Sequence, residues 1–161
     1  MRTKITTSIA TVFATASLAA CVSGGGEAPP LPPLAADPSR PVLALFEHVL
    51  TGYFAEAGAS GPTVCAHLSP SALSAEQEEA LILRFVRLAP AERCIEGASG
   101  EYRDAITGEP ARTVRVYDFA CREEAPCSGW VSAPGRPATR YTMRFVGGAW
   151  RFDGDQRIIA E

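Results

Sequence analysis

Hydrophobic residues recur along this chain with two periods, and the change from one to the other divides it. From 42 to 57, Val42, Leu45, Phe46, Val49, Leu50 and Tyr53 return at steps of three and four, while Glu47, Thr51 and Glu56 take the other side. That is the signature of an amphipathic helix. Asp37 or Ser39 is placed to cap it, Pro41 suits its first turn, and Gly58 with the Ala-Ser-Gly-Pro run closes it. Farther on, Ser74 and Gln77 fit a capping box, with Glu76, Glu78 and Glu79 near the positive end of the helix dipole. Leu81, Ile82, Phe85, Val86, Leu88 and Ala89 supply a broad apolar face. The spacing predicts a second helix over about 75–88, stopped by Pro90, with Arg84 and Arg87 near its C-terminal end.

Beyond residue 100 the period falls to two. Thr113–Cys121, Cys127–Ala133, Arg140–Val146 and Ala149–Asp153 read as strands. Gly147-Gly148 joins the last two as a two-residue hairpin turn, because such turns need positive φ. That turn sets Phe145 opposite Trp150 and Met143 opposite Phe152 on the side expected to be buried. On the other side Arg144 meets Arg151, and Arg140 meets Asp155. Helices followed by strands imply an α+β fold: N-terminal helices packed on a mostly antiparallel sheet of about four strands. This order, with its terminal "GGAWRF" hairpin at 147–152, resembles the nuclear transport factor 2-like superfamily over about 41–160. A cystatin-like sheet wrapped on one helix is the nearest competitor. The resemblance implies a pocket between sheet and helices, with Asp118, expected opposite Trp130, or His48 as an acid/base.

The N-terminus carries a different signal. Arg2 and Lys4 precede a weakly apolar stretch, Ile5–Ala19, that is too short and too polar to span a bilayer as a helix, which takes roughly 20 apolar residues. It ends in Leu18-Ala19-Ala20-Cys21, which resembles the lipobox of bacterial lipoproteins. The resemblance implies a signal peptide over 1–20, a diacylglycerol on the Cys21 thiol, and anchoring to the membrane through acyl chains. Val22, being non-acidic, implies the outer membrane, facing the periplasm, rather than inner-membrane retention. The competing reading is an ordinary signal peptide cut near Ala20, with Cys21 a free thiol. Residues 21–40, rich in glycine and proline, read as a tether, and 41–161 as a single domain.

Charge and cysteines narrow the function classes. The 161 residues carry 15 basic and 18 acidic side chains, and removing 1–20 leaves 13 against 18, a net of −5. An acidic domain has no long-range attraction for phosphate backbones, which argues against nucleic acid as a partner. Lys4 is the only lysine, so every cation after it is an arginine; codon usage accounts for this without a functional demand. With Cys21 lipidated, Cys65, Cys94, Cys121 and Cys127 remain, an even number with three possible pairings. A symmetric hairpin sets Cys121 opposite Cys127, leaving Cys65 for Cys94. A zinc site using Cys65 and His67 is the competing use, but zinc recruits closer cysteine pairs than these.

No GxSxG, HExxH or phosphate-loop pattern occurs. His48 falls on or near the polar face of the first helix, and His67 in a disulfide-flanked turn. The sequence therefore implies no catalytic constellation, no metal and no cofactor. Arg144, Arg151 and Arg115 are the candidates for contact with an anion or an acidic partner surface. The function expected is a non-enzymatic, membrane-anchored envelope module that binds a protein or small ligand. The alternative is a small enzyme using Asp118 or His48.

Overall fold

The computed structural model describes residues 30–155 apart from 59 and 123–125, and of Asp155 only the backbone. The expected signal peptide, Cys21 and most of the tether lie outside the described residues. The described residues from Leu31 onward form one compact unit.

The first helix, α1, spans Pro41–Ala57 with Pro41 in its first turn. Asp37 and Ser39 do not cap it. Asp37 Oδ1 instead accepts from the Ser39 backbone N–H and hydroxyl at 2.9 and 2.6 Å, which leaves Arg40 as the residue preceding the helix. Leu43, Leu45, Phe46 and Leu50 are fully buried, and Ala44 with them. The buried surface is wider than a single stripe because a 3-10 turn at Leu34–Ala36 packs on the helix from outside. Leu34, expected in the tether, belongs to the core.

Strand β1 (Thr63–Ser69) follows, where no strand was expected. Helix α2 is only Ala75–Ile82, opened by the expected reciprocal cap between Ser74 and Gln77. It stops well before Pro90 because β1 needs a partner along its free edge. The Val64 N–H donates to the Arg87 carbonyl at 3.0 Å, and Leu88–Ala89 becomes a short strand, β2, parallel to β1. Tertiary pairing thus overrides the helical period, and Val86, counted in the apolar face, stands fully exposed.

A small hairpin of β3 (Cys94–Glu96) and β4 (Tyr102–Asp104) precedes β5 (Ala111–Ala120), β6 (Cys127–Ser132), β7 (Thr139–Val146) and β8 (Ala149–Asp155). The fold is α+β, but the main sheet is mixed and has six strands rather than four, in the order β2-β1-β5-β6-β7-β8. Both β1 pairings are parallel; β5 to β8 form an antiparallel meander. The start of β1, β2 and the start of β5 therefore share one end of the sheet. The β7–β8 turn lies at the other.

The β7–β8 register is the expected one, with Phe145 opposite Trp150, Met143 opposite Phe152 and Arg144 opposite Arg151. Gly147 and Gly148 both have positive φ, 63° and 79°, as that turn requires. Met143 and Trp150 are buried toward the helices with Val114, Val116 and Val131. The cysteines pair as Cys65–Cys94 and Cys121–Cys127. The β5–β6 register is not symmetric: Asp118 sits at φ 52° in a bulge, so Tyr117, not Asp118, faces Trp130.

Candidate functional site

Alternation along each strand decides which side chains leave the core. With Val114, Val116, Val131, Met143 and Trp150 turned inward, the residues between them form the outer face of the sheet. That face has two halves.

Over β1 and the first half of β5 lies the β3–β4 hairpin, pinned by Cys65–Cys94. Both cysteines are buried with Ala89 and Ala111, and Tyr102 packs against them. Asp104, 1 % exposed, is the buried charge of the molecule's described part. Its carboxylate accepts from Thr63 Oγ1 at 2.6 Å, Arg93 Nε at 2.8 Å and the Ile106 N–H at 3.0 Å. These bonds, the Arg93 one first, hold its pKa far below the ordinary carboxylate value. His67 lies on β1 rather than in a turn, and its buried Nε2 has no hydrogen-bond partner among the described residues. Burial lowers its pKa first and the Arg115 charge further, with Glu78 opposing. Arg115 lies over the Tyr102 ring, 5.6 Å from the guanidinium carbon to its centroid, donates to the Tyr102 hydroxyl and reaches Glu96 at 4.0 Å. A half-open pocket of about 460 Å³ separates this hairpin from β6, with Arg103, Arg112, Thr113 and Ser132 in its lining.

Over β6 to β8 nothing among the described residues covers the sheet. Tyr117 and Trp130, paired across β5 and β6, set their rings within 11° of parallel with centroids 6.4 Å apart. Trp130 is the register partner of Arg140, and beyond it stand Arg144 and Arg151, directly opposite each other and exposed. Neither Arg144 nor Arg151 forms an ion pair with a described residue. Like charges placed directly opposite destabilise a strand pair unless something neutralises them.

The three candidate arginines share the outer face but do not form one cluster. Arg115 faces Ser132 and is engaged with the hairpin. By strand spacing and rise it stands roughly 20 Å from Arg144. The residues that extend the Arg144–Arg151 pair are instead Arg140, Trp130 and Tyr117. The sequence signal for them was alternation carried through β5 and β6; the Asp118 bulge hid it.

The acid/base candidates are not enclosed. Asp118 is exposed at its bulge. His48, an exposed residue on α1, stacks on Phe152 at 4.3 Å and meets Tyr141 edge-on at 5.7 Å. Partial burial of the ring lowers its pKa. Cys65 is spent in a disulfide, and among the described residues no group of three or more His, Cys, Asp or Glu side chains is placed to hold a metal ion. No described helix is long and apolar enough to cross a membrane.

Known proteins offer no match. No family model matches the chain, and no curated protein or solved structure matches it either. The functional reading therefore rests on the residues themselves.

Proposed function

We propose that this chain is a non-enzymatic envelope lipoprotein, anchored by acyl chains on Cys21, that binds an acidic protein or small anionic ligand through the open half of its sheet. The single observation carrying the contact surface is the exposed Arg144–Arg151 pair, on a face that no described residue covers, in an otherwise acidic domain. Arginine offers planar, bidentate hydrogen bonding that suits carboxylates and phosphates. The two disulfides fit an oxidising compartment. The exposure of Asp118 and His48 sets neither in an enclosed pocket of the kind that tunes an acid/base group, which favours binding over catalysis.

Two measurements test the reading. Cys21→Ser abolishes acyl labelling and releases the protein from the membrane fraction; unchanged retention refutes lipidation. Crosslinking of the intact lipoprotein recovers an envelope partner or ligand that is lost in an Arg144→Ala, Arg151→Ala double variant. Consistent recovery of nothing, or of the same material from both proteins, removes the contact surface.

A further inference from the structure

The exposed apolar side chains are not scattered evenly. Leu31, Leu83, Val86 and Ile106 are 51, 66, 103 and 77 % exposed. Hydrogen bonds place Leu83, Val86 and Ile106 at the end of the sheet where β1 starts. Leu83 and Val86 occupy the turn between α2 and β2, and the Arg87 carbonyl in that turn accepts from Val64, the second residue of β1. Ile106 donates its N–H to Asp104, whose carboxylate holds Thr63, the first residue of β1. Leu31 precedes Pro32, whose carbonyl accepts at 2.8 Å from Nη2 of Arg84, the residue after Leu83.

The same contact fixes where the chain leaves the domain toward Cys21. Nine residues lie between Cys21 and Leu31, and the ten steps between them reach no more than about 35 Å when fully extended. Arginines flank the apolar group: Arg87 in the turn, and Arg112, exposed, in register with Val64. Apolar side chains with two arginines beside them, near the exit of a short tether, match the chemistry of a bilayer interface, where aliphatic groups enter the acyl boundary and cations meet phosphates.

We infer that this end of the domain, built on Leu83 and Val86, docks on the phospholipid bilayer that carries the anchor. This deepens the lipoprotein reading and rests on it for the nearness of a membrane. Docking this end turns the β7–β8 turn, with Arg144 and Arg151 beside it, toward the far side of the domain, where a partner finds it open.

The test uses a chain beginning at Val22, which has no acylation site and keeps the whole compact unit, its core and both disulfides. Its partition onto vesicles of phosphatidylethanolamine with one-third phosphatidylglycerol is measured by flotation. The chain floats with the vesicles, and Val86→Asp and Leu83→Asp each reduce the partition coefficient about 10-fold, the loss expected from one buried aliphatic side chain. Val146→Asp, the same chemical change at the opposite end, leaves it within about 2-fold. Circular dichroism confirms that each variant is folded; both docking positions are exposed, so neither disturbs the core. No flotation of the parent chain overturns the proposal. So does loss of flotation in Val146→Asp with Val86→Asp unaffected. Neither result bears on acylation of Cys21, which labelling decides separately.

Discussion

The two halves of the outer face belong to one sheet and treat charge in opposite ways. Under the β3–β4 hairpin the fold supplies counter-charges from within: Arg93 holds Asp104, and Arg115 reaches Glu96 and donates to the Tyr102 hydroxyl. Over β6 to β8, Arg144 and Arg151 oppose each other with no described acid bonded to either. A structural network satisfies its members from within, because an unpaired charge near the core is expensive. A contact surface leaves its members for something outside. The difference teaches that the arginine count of a face says little; what separates scaffold from contact is whether the fold supplies the counter-charge.

The largest effect should come from unpinning the covered half. Cys65→Ser with Cys94→Ser opens a long loop and is expected to lower stability by about 3.5 kcal/mol, against about 2 kcal/mol for Cys121→Ser with Cys127→Ser, by loop entropy. Denaturant titration under non-reducing conditions measures both; equal losses would show that loop length does not set the effect. Gly129→Ala is the next step down. A Cβ there would come within 2.9 Å of the Phe119 ring, so overpacking on the order of 1–3 kcal/mol is expected.

Acid should then separate the halves further. The folded pKa of Asp104 is lowered, so its contribution is complete above the unfolded value of about 4 and is lost as pH falls toward the folded one. His67 and His48 also have lowered pKa values, so stability attached to their neutral forms declines once pH drops below about 6.5. Thermal unfolding followed from neutral to acid pH should show decline in two stages. Asp104→Asn should flatten the lower stage and leave the upper one; an unchanged lower stage would locate acid sensitivity elsewhere. The smallest effect has the opposite sign. Arg144→Glu should stabilise the protein by up to about 1 kcal/mol, by replacing a repulsive cross-strand pair with an attractive one, while abolishing contact with an acidic partner. A loss of stability would show that Arg144 is neutralised within the chain.

Much of this arrangement was legible in the residues, for local reasons. Gly147-Gly148 dictates its turn, and the turn dictates which arginines meet. The Ser74–Gln77 cap is a four-residue property, and α1 carries its own period. What escaped was set by distant pairing. Thr63–Ser69 is a short run between prolines, and only alignment with β5 makes it a strand. Leu88–Ala89 has a helical past in the sequence and a strand's role in the fold, because β1 offers an edge. Of the candidate site, the Arg144–Arg151 pair was readable from the hairpin. The Tyr117–Trp130–Arg140 row was not, because one residue with positive φ, Asp118, displaces the register by one place.

The docking of Leu34–Ala36 against α1 also decides how the molecule would respond to being pulled. Tension arriving from the N-terminal side meets Arg84 at Pro32, then Glu47 at Ala35, then the Trp150 indole at the Asp37 carbonyl. A peeling load meets these single bonds in turn, with the buried Leu34 side chain between the first and the last, before α1 itself is stressed. The segment thus works as a release line of graded length, paying out several residues of slack while the sheet stays whole.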